Sequence, residues 1–107
     1  MSDERYYAVR MLWVRDQQAW DKYQEMAKPV LARHEVQMEQ WLVTDTIDGE
    51  GIDKPDLIVV TSYPSAAAYE AFESDPDLEK ASALRDAGAK LVTVTAHSGL
   101  PQPSVVK

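Results

Sequence analysis

The sequence predicts an α+β domain: one four-stranded antiparallel sheet with helices on one of its faces. Three observations carry this. Residues Tyr6 to Val14 read as a strand that is apolar on both alternating faces and broken by one charge, Arg10. Residues Leu57 to Ser62 form a short continuous apolar run, the pattern of a strand covered on both sides. Apolar residues at three-and-four spacing follow each of these runs, as amphipathic helices require. Helices can cover one side of such a sheet, but 107 residues are too few to cover the other, so a second copy of the chain is expected there.

Taken in order, the first strand ends at Arg15-Asp16, where Asp16 is placed to cap a helix. That helix carries Ala19, Trp20, Tyr23, Met26, Ala27, Val30 and Leu31 on one stripe, with His34 continuing it. Pro29 lies inside it and predicts a kink or a restart. Val36 to Thr46 alternates imperfectly and reads as an edge strand. Asp45 to Asp56 holds two glycines, a proline and five acids, so it is a loop, long for a hairpin. After the central strand, Pro64-Ser65 opens a helix bearing Ala66, Tyr69 and Phe72 that stops near Ser74. Asp75-Pro76 restarts one with an N-cap and a first-turn proline, and Gly88 is expected to end it in a left-handed turn. Leu91 to Ser98 is the last strand.

The order β-α-β-β-α-β is the ferredoxin-like plan, with one sheet face left bare and apolar. The domain spans residues 1–98, and 99–107, with Pro101 and Pro103, reads as an extended tail. On the first strand, Tyr7, Val9, Met11 and Trp13 are assigned to the helices. Tyr6, Ala8, Leu12 and Val14 are assigned to a partner sheet, with Arg10 as an interface residue.

Composition removes several function classes. At 45% hydrophobic and 27% charged residues the chain has ordinary globular usage. A formal charge of −7 without any lysine-arginine stripe works against nucleic-acid phosphates, and no nucleic-acid partner is expected. No run of 18 apolar residues and no basic-then-apolar leader is present, so no membrane association and a cytoplasmic location are expected. The absence of cysteine excludes thiol nucleophiles, disulfides and thiolate metal sites.

The segment from Tyr23 through Pro29 to His34 resembles the first helix of a small uncharacterised family in the dimeric α/β-barrel superfamily. Tyr63-Pro64-Ser65 with Tyr69, Ser74-Asp75-Pro76 and Leu84-Arg85 extend the resemblance across roughly residues 5 to 97. The family usually places paired glycines after the helix, where this chain has Glu35-Val36. The wider superfamily holds antibiotic-biosynthesis-type monooxygenases that need no cofactor, isomerases, polyketide cyclases, haem-dependent enzymes and ligand-sensing domains. What the resemblance implies is a pocket between helices and sheet in each subunit; fold alone does not select a reaction.

For that pocket the residues offer His34 as a general base at the end of an apolar stripe, set against a structural role capping the helix. His97 has a similar status. Arg85 is a candidate electrostatic stabiliser of an enolate oxygen, and Arg10 is weighed for the same task against pairing with a carboxylate across the dimer. Trp13, Trp41 and Tyr69 are the candidate substrate-binding walls, with Trp20, Tyr23 and Phe72 converging on the same region. Two histidines 63 positions apart and an acidic loop without calcium-binding spacing give no metal site, and no bound cofactor is expected. The expected function is a homodimeric small-molecule-binding protein, either a cofactor-independent monooxygenase, isomerase or cyclase acting on an aromatic or polyketide-like compound, or a non-catalytic binding or accessory protein.

Overall fold

The computed structural model describes residues 5–97 and contains the expected order with one helical region divided in three. Strand β1 spans Tyr6–Val14, helix α1 Gln17–Arg33, β2 Gln37–Val43 and β3 Leu57–Tyr63. Helices α2 (Ala66–Glu73), α3 (Pro76–Lys80) and α4 (Ser82–Gly88) lead to β4 (Ala89–His97). The strands lie in the order β2-β3-β1-β4, every pair antiparallel, which is the ferredoxin-like sheet. The tail assigned to 99–107 lies outside the described residues.

Local chemistry explains the helix starts. The Asp16 carboxylate accepts from the Gln18 and Ala19 amides at 3.0 and 3.2 Å, Ser65 Oγ accepts from the Ala68 amide at 3.1 Å, and Asp75 caps α3 with Pro76 in its first turn. Helix α1 runs through Pro29 without a restart. It ends in a Schellman turn: the Val36 amide donates to Leu31 O and the Glu35 amide to Ala32 O, with Glu35 at φ 56°. Glu35 thus occupies a left-handed position that glycine adopts without steric cost.

Gly88 corrects an expectation. It is not among the residues of positive φ, and a Cβ there would stand 2.6 Å from the Trp20 backbone nitrogen. Its small size lets α4 meet the first turn of α1, where its carbonyl also accepts from the Arg15 and Asp16 amides.

The faces of β1 are the reverse of those assigned from sequence. Ala8 and Leu12 are fully buried beneath the helices. Ala8 packs with Ala27, Val30, Tyr63, Phe72 and Leu78, and Leu12 with Trp20, Val59 and Ala89. Arg10 shares their parity, so it faces the helices and is not an interface residue. Tyr7, Val9, Met11 and Trp13 stand on the opposite face. Register aligns Val9 with Val60 and Val94, and Met11 with Ile58 and Val92, giving that face a continuous apolar centre. Val94 there is 57% exposed.

Candidate functional site

Between the helices and the inner face of the sheet lies a cavity of about 610 Å³. Trp20, Tyr23, Trp41, Tyr69 and Phe72 supply its aromatic walls. Five of the six aromatics expected to converge do so, and Arg85 joins them. Trp41 reaches the cavity because it pairs with Val59 on the inner parity of β3, and it remains 45% exposed at the β2 edge. Trp20 stacks on Tyr23 with centroids 5.1 Å apart. The Trp20 indole N–H is buried without a hydrogen-bond partner among the described residues.

Trp13 is not a wall. It follows the outer parity of β1, donates its indole N–H to Asp53 O at 3.2 Å and lies under the Lys90 ammonium, 4.9 Å from the ring centre. Together with the Asp56 carboxylate, which accepts from the Val14 amide at 2.7 Å, it ties the acidic loop to the end of β1.

His34 also stands outside the cavity. It is the C-cap of α1, where its ring packs edge-on against Phe72 with centres 6.1 Å apart and reaches Asp75 at the start of α3. Nε2 lies 2.8 Å from Asp75 Oδ2, and because a carboxylate only accepts, Nε2 carries the proton. Arg33 donates to the same oxygen at 2.7 Å, while Asp75 Oδ1 accepts from the Asp77 amide at 2.9 Å. The His34 bond, followed by the Asp77 amide and Arg33, holds the Asp75 carboxyl down at about 2. This knot joins the end of α1 to the start of α3. His97 packs edge-on against Tyr6 at 5.0 Å, at the end of β4.

The polar floor of the cavity is built on Arg10. Nη1 donates to Thr61 Oγ1 at 2.9 Å, and Nη2 to the Tyr63 hydroxyl at 3.1 Å and to Glu73 Oε2 at 3.3 Å. The Thr61 hydroxyl donates in turn to the Tyr63 oxygen at 3.2 Å. Burial opposes the guanidinium charge, but the Tyr63 oxygen and the Glu73 carboxylate outweigh it and raise the Arg10 pKa. Burial pushes the phenols of Tyr23 and Tyr69 upward, keeping both neutral at physiological pH. Arg85 Nε is 3.4 Å from Asp86.

Charge is distributed unevenly. In a chain of net charge −7, the cavity lining holds Arg10, Arg15, Lys28, Arg85 and Lys90 against only two carboxylates, Glu73 and Asp86. Sequence reasoning weighed Arg10 for an anionic oxygen but assigned it to the interface, and it missed Tyr63 and Glu73 as cavity residues. Thr61 and Tyr63, two residues apart on one strand face, were the available signal: an arginine buried in a neighbouring strand needs such acceptors. No group of three or more His, Cys, Asp or Glu placed to hold a metal occurs among the described residues, and none of their helices is long and apolar enough to cross a membrane.

Solved structures share this architecture. The chain is similar to RPA0582, a protein of unknown function from Rhodopseudomonas palustris, at 17% identity and a TM-score of 0.80 over 94% of this chain and 86% of that one. It is similar to SnoaB, a cofactor-independent oxygenase from Streptomyces nogalater, at 12% identity and a TM-score of 0.61 over 94% of this chain and 100% of that one. A dimeric ferredoxin-like protein of unknown function from Jannaschia sp. CCS1 is 17% identical, with a TM-score of 0.57 over 86% of this chain and 97% of that one. No curated protein gives a significant match. Residues 5–98 match the family described as a domain of unknown function, DUF1330, and the chain belongs to that family.

Proposed function

We propose that this chain is a homodimeric small-molecule-binding protein whose cavity takes a flat aromatic compound. The observation that carries this is the aromatic-walled space between helices and sheet. Its 610 Å³ falls within the roughly 300–1,000 Å³ of small-molecule sites, and its apolar walls surround a few convergent polar groups. Trp41 and Tyr69 act as walls, and Arg85 stabilises a ligand oxygen beside Tyr23. Turnover without a bound cofactor is the second reading, favoured by the fold shared with SnoaB. In this reading His34, bonded to Asp75 and not among the lining residues, is given no role.

The dimer forms through the outer sheet face, where Leu42, Val92 and Val94 are exposed large apolar residues. The Jannaschia protein of like fold is described as dimeric.

Thermal denaturation with 2-naphthol tests the cavity, and light scattering tests the dimer. A ligand at about ten times its Kd contributes about 1.4 kcal/mol, raising Tm by roughly 5–10 °C. The shift is expected in wild type and reduced in Trp41→Ala. Absence of any shift across a panel of flat phenols would remove the reading. Val94→Asp is expected to convert the dimer to monomer, and a wild type that scatters as a monomer at micromolar concentration contradicts the dimer.

A further inference from the structure

The Arg10–Glu73 contact joins two groups with very different freedom. Arg10 is fixed: its side chain is 16% exposed, and Thr61 and Tyr63 hold it from the neighbouring strand. Glu73 is the last residue of α2, its side chain is 40% exposed, and its 3.3 Å contact is the longest of the three that Arg10 makes. The carboxylate can turn into water at little cost to itself, since its side chain is already partly solvated and its contact with Arg10 is long. Arg10 cannot turn out, because Thr61 and Tyr63 hold it, so its charge stays in the cavity whichever anion faces it. Glu73 therefore behaves as an exchangeable counter-ion in a cavity whose other charged lining residues are mainly cationic.

We infer that the ligand is a flat aromatic bearing an oxyanion, a carboxylate or an ionised enol, which takes the place of Glu73 on Arg10. The inference rests on the cavity reading above and adds the ligand's charge and the residue that competes with it. Arg10 binds the oxyanion through Nη2, the aromatic walls take the ring system, and Glu73 swings to solvent as the ligand enters. Entry then leaves the net charge around Arg10 unchanged, so an uncharged compound of the same shape gains nothing from the exchange.

Isothermal titration with three probes tests it: 2-naphthoate, its neutral amide 2-naphthamide, and 2-hydroxy-1,4-naphthoquinone as the ionised enol. In wild type at least one anion is expected to bind more tightly than the amide. Glu73→Gln is expected to tighten that anion roughly three- to five-fold, as removal of a competing ion pair allows, and to leave the amide within about two-fold. Arg10→Met is expected to erase the preference. Whichever anion shows the gain identifies the class as carboxylate or enolate. If the amide binds and Glu73→Gln leaves both anions unchanged or weaker, the exchange is overturned while the cavity reading stands. If none of the three binds, both fall. Glu73→Gln alters only a partly exposed side chain at a helix end, so the test holds even where Arg10→Met fails to fold.

Discussion

Glu73 and Asp75 are two residues apart, carry the same charge and each meet an arginine, yet they belong to different parts of the protein. Asp75 has a 6% exposed side chain and accepts from His34, Arg33 and the Asp77 amide. Glu73 has one arginine contact at 3.3 Å and a 40% exposed side chain. The first arrangement stores its bonds in the fold, and the second keeps a charge available for exchange. A charge–charge contact thus tells little by itself about whether it holds a fold or serves a site. The number of bonds that fail together when one partner leaves is more informative.

Asp75→Ala should cause the largest loss. It removes an N-cap and strands His34 and Arg33 together, lowering Tm by roughly 5–10 °C. Glu73→Gln in the same assay should change stability by no more than about 0.5 kcal/mol. Equal losses would erase the distinction.

Acid titration sharpens it. The folded Asp75 carboxyl sits at about 2, below its ordinary 3.8. A depressed carboxyl contributes its full stabilisation above the unfolded value and loses it as pH falls through the folded one. Wild type should therefore lose stability between about pH 4 and about pH 2 more steeply than Asp75→Asn, as followed by circular dichroism. Parallel curves would deny Asp75 its special standing.

A smaller effect comes from the turn that aims His34 at Asp75. Glu35 holds φ 56° there, and Glu35→Gly should relieve about 1 kcal/mol of left-handed strain, visible as a raised denaturation midpoint with an unchanged slope. A lower midpoint would mean that the Glu35 side chain contributes more than its backbone costs.

The fold was legible because its cues are local. Asp16, Ser65 and Asp75-Pro76 mark helix starts by short-range chemistry, and the two kinds of apolar spacing separate strands from helices. The faces of β1 were not legible, since both parities are apolar. What decides between them is fit under the helices, where Ala8 and Leu12 leave room for α1 and for Phe72 and Leu78, a tertiary property. One inverted strand then carried two errors, placing Trp13 in the cavity and Arg10 outside it. Helical spacing puts Tyr69 on the inner side of α2, whereas it left Arg85 as one of two candidates for its stripe, and Trp41 reaches the cavity through its pairing with Val59 beyond a bulge in β2. The Arg10–Glu73 pair, separated by 63 positions, has no signature in the sequence.

The three tryptophans provide the most direct test of the central claim, that a flat aromatic compound enters the space between helices and sheet. Trp20 and Trp41 line that space, and Trp13, bonded to Asp53 O on the other face, is an internal control. In proton–nitrogen spectra of the wild-type chain titrated with 2-naphthol or 2-naphthoate, the indole signals of Trp20 and Trp41 should move together and saturate while that of Trp13 holds still. Movement of Trp13 alone, or of none of the three at saturating ligand, would contradict the account.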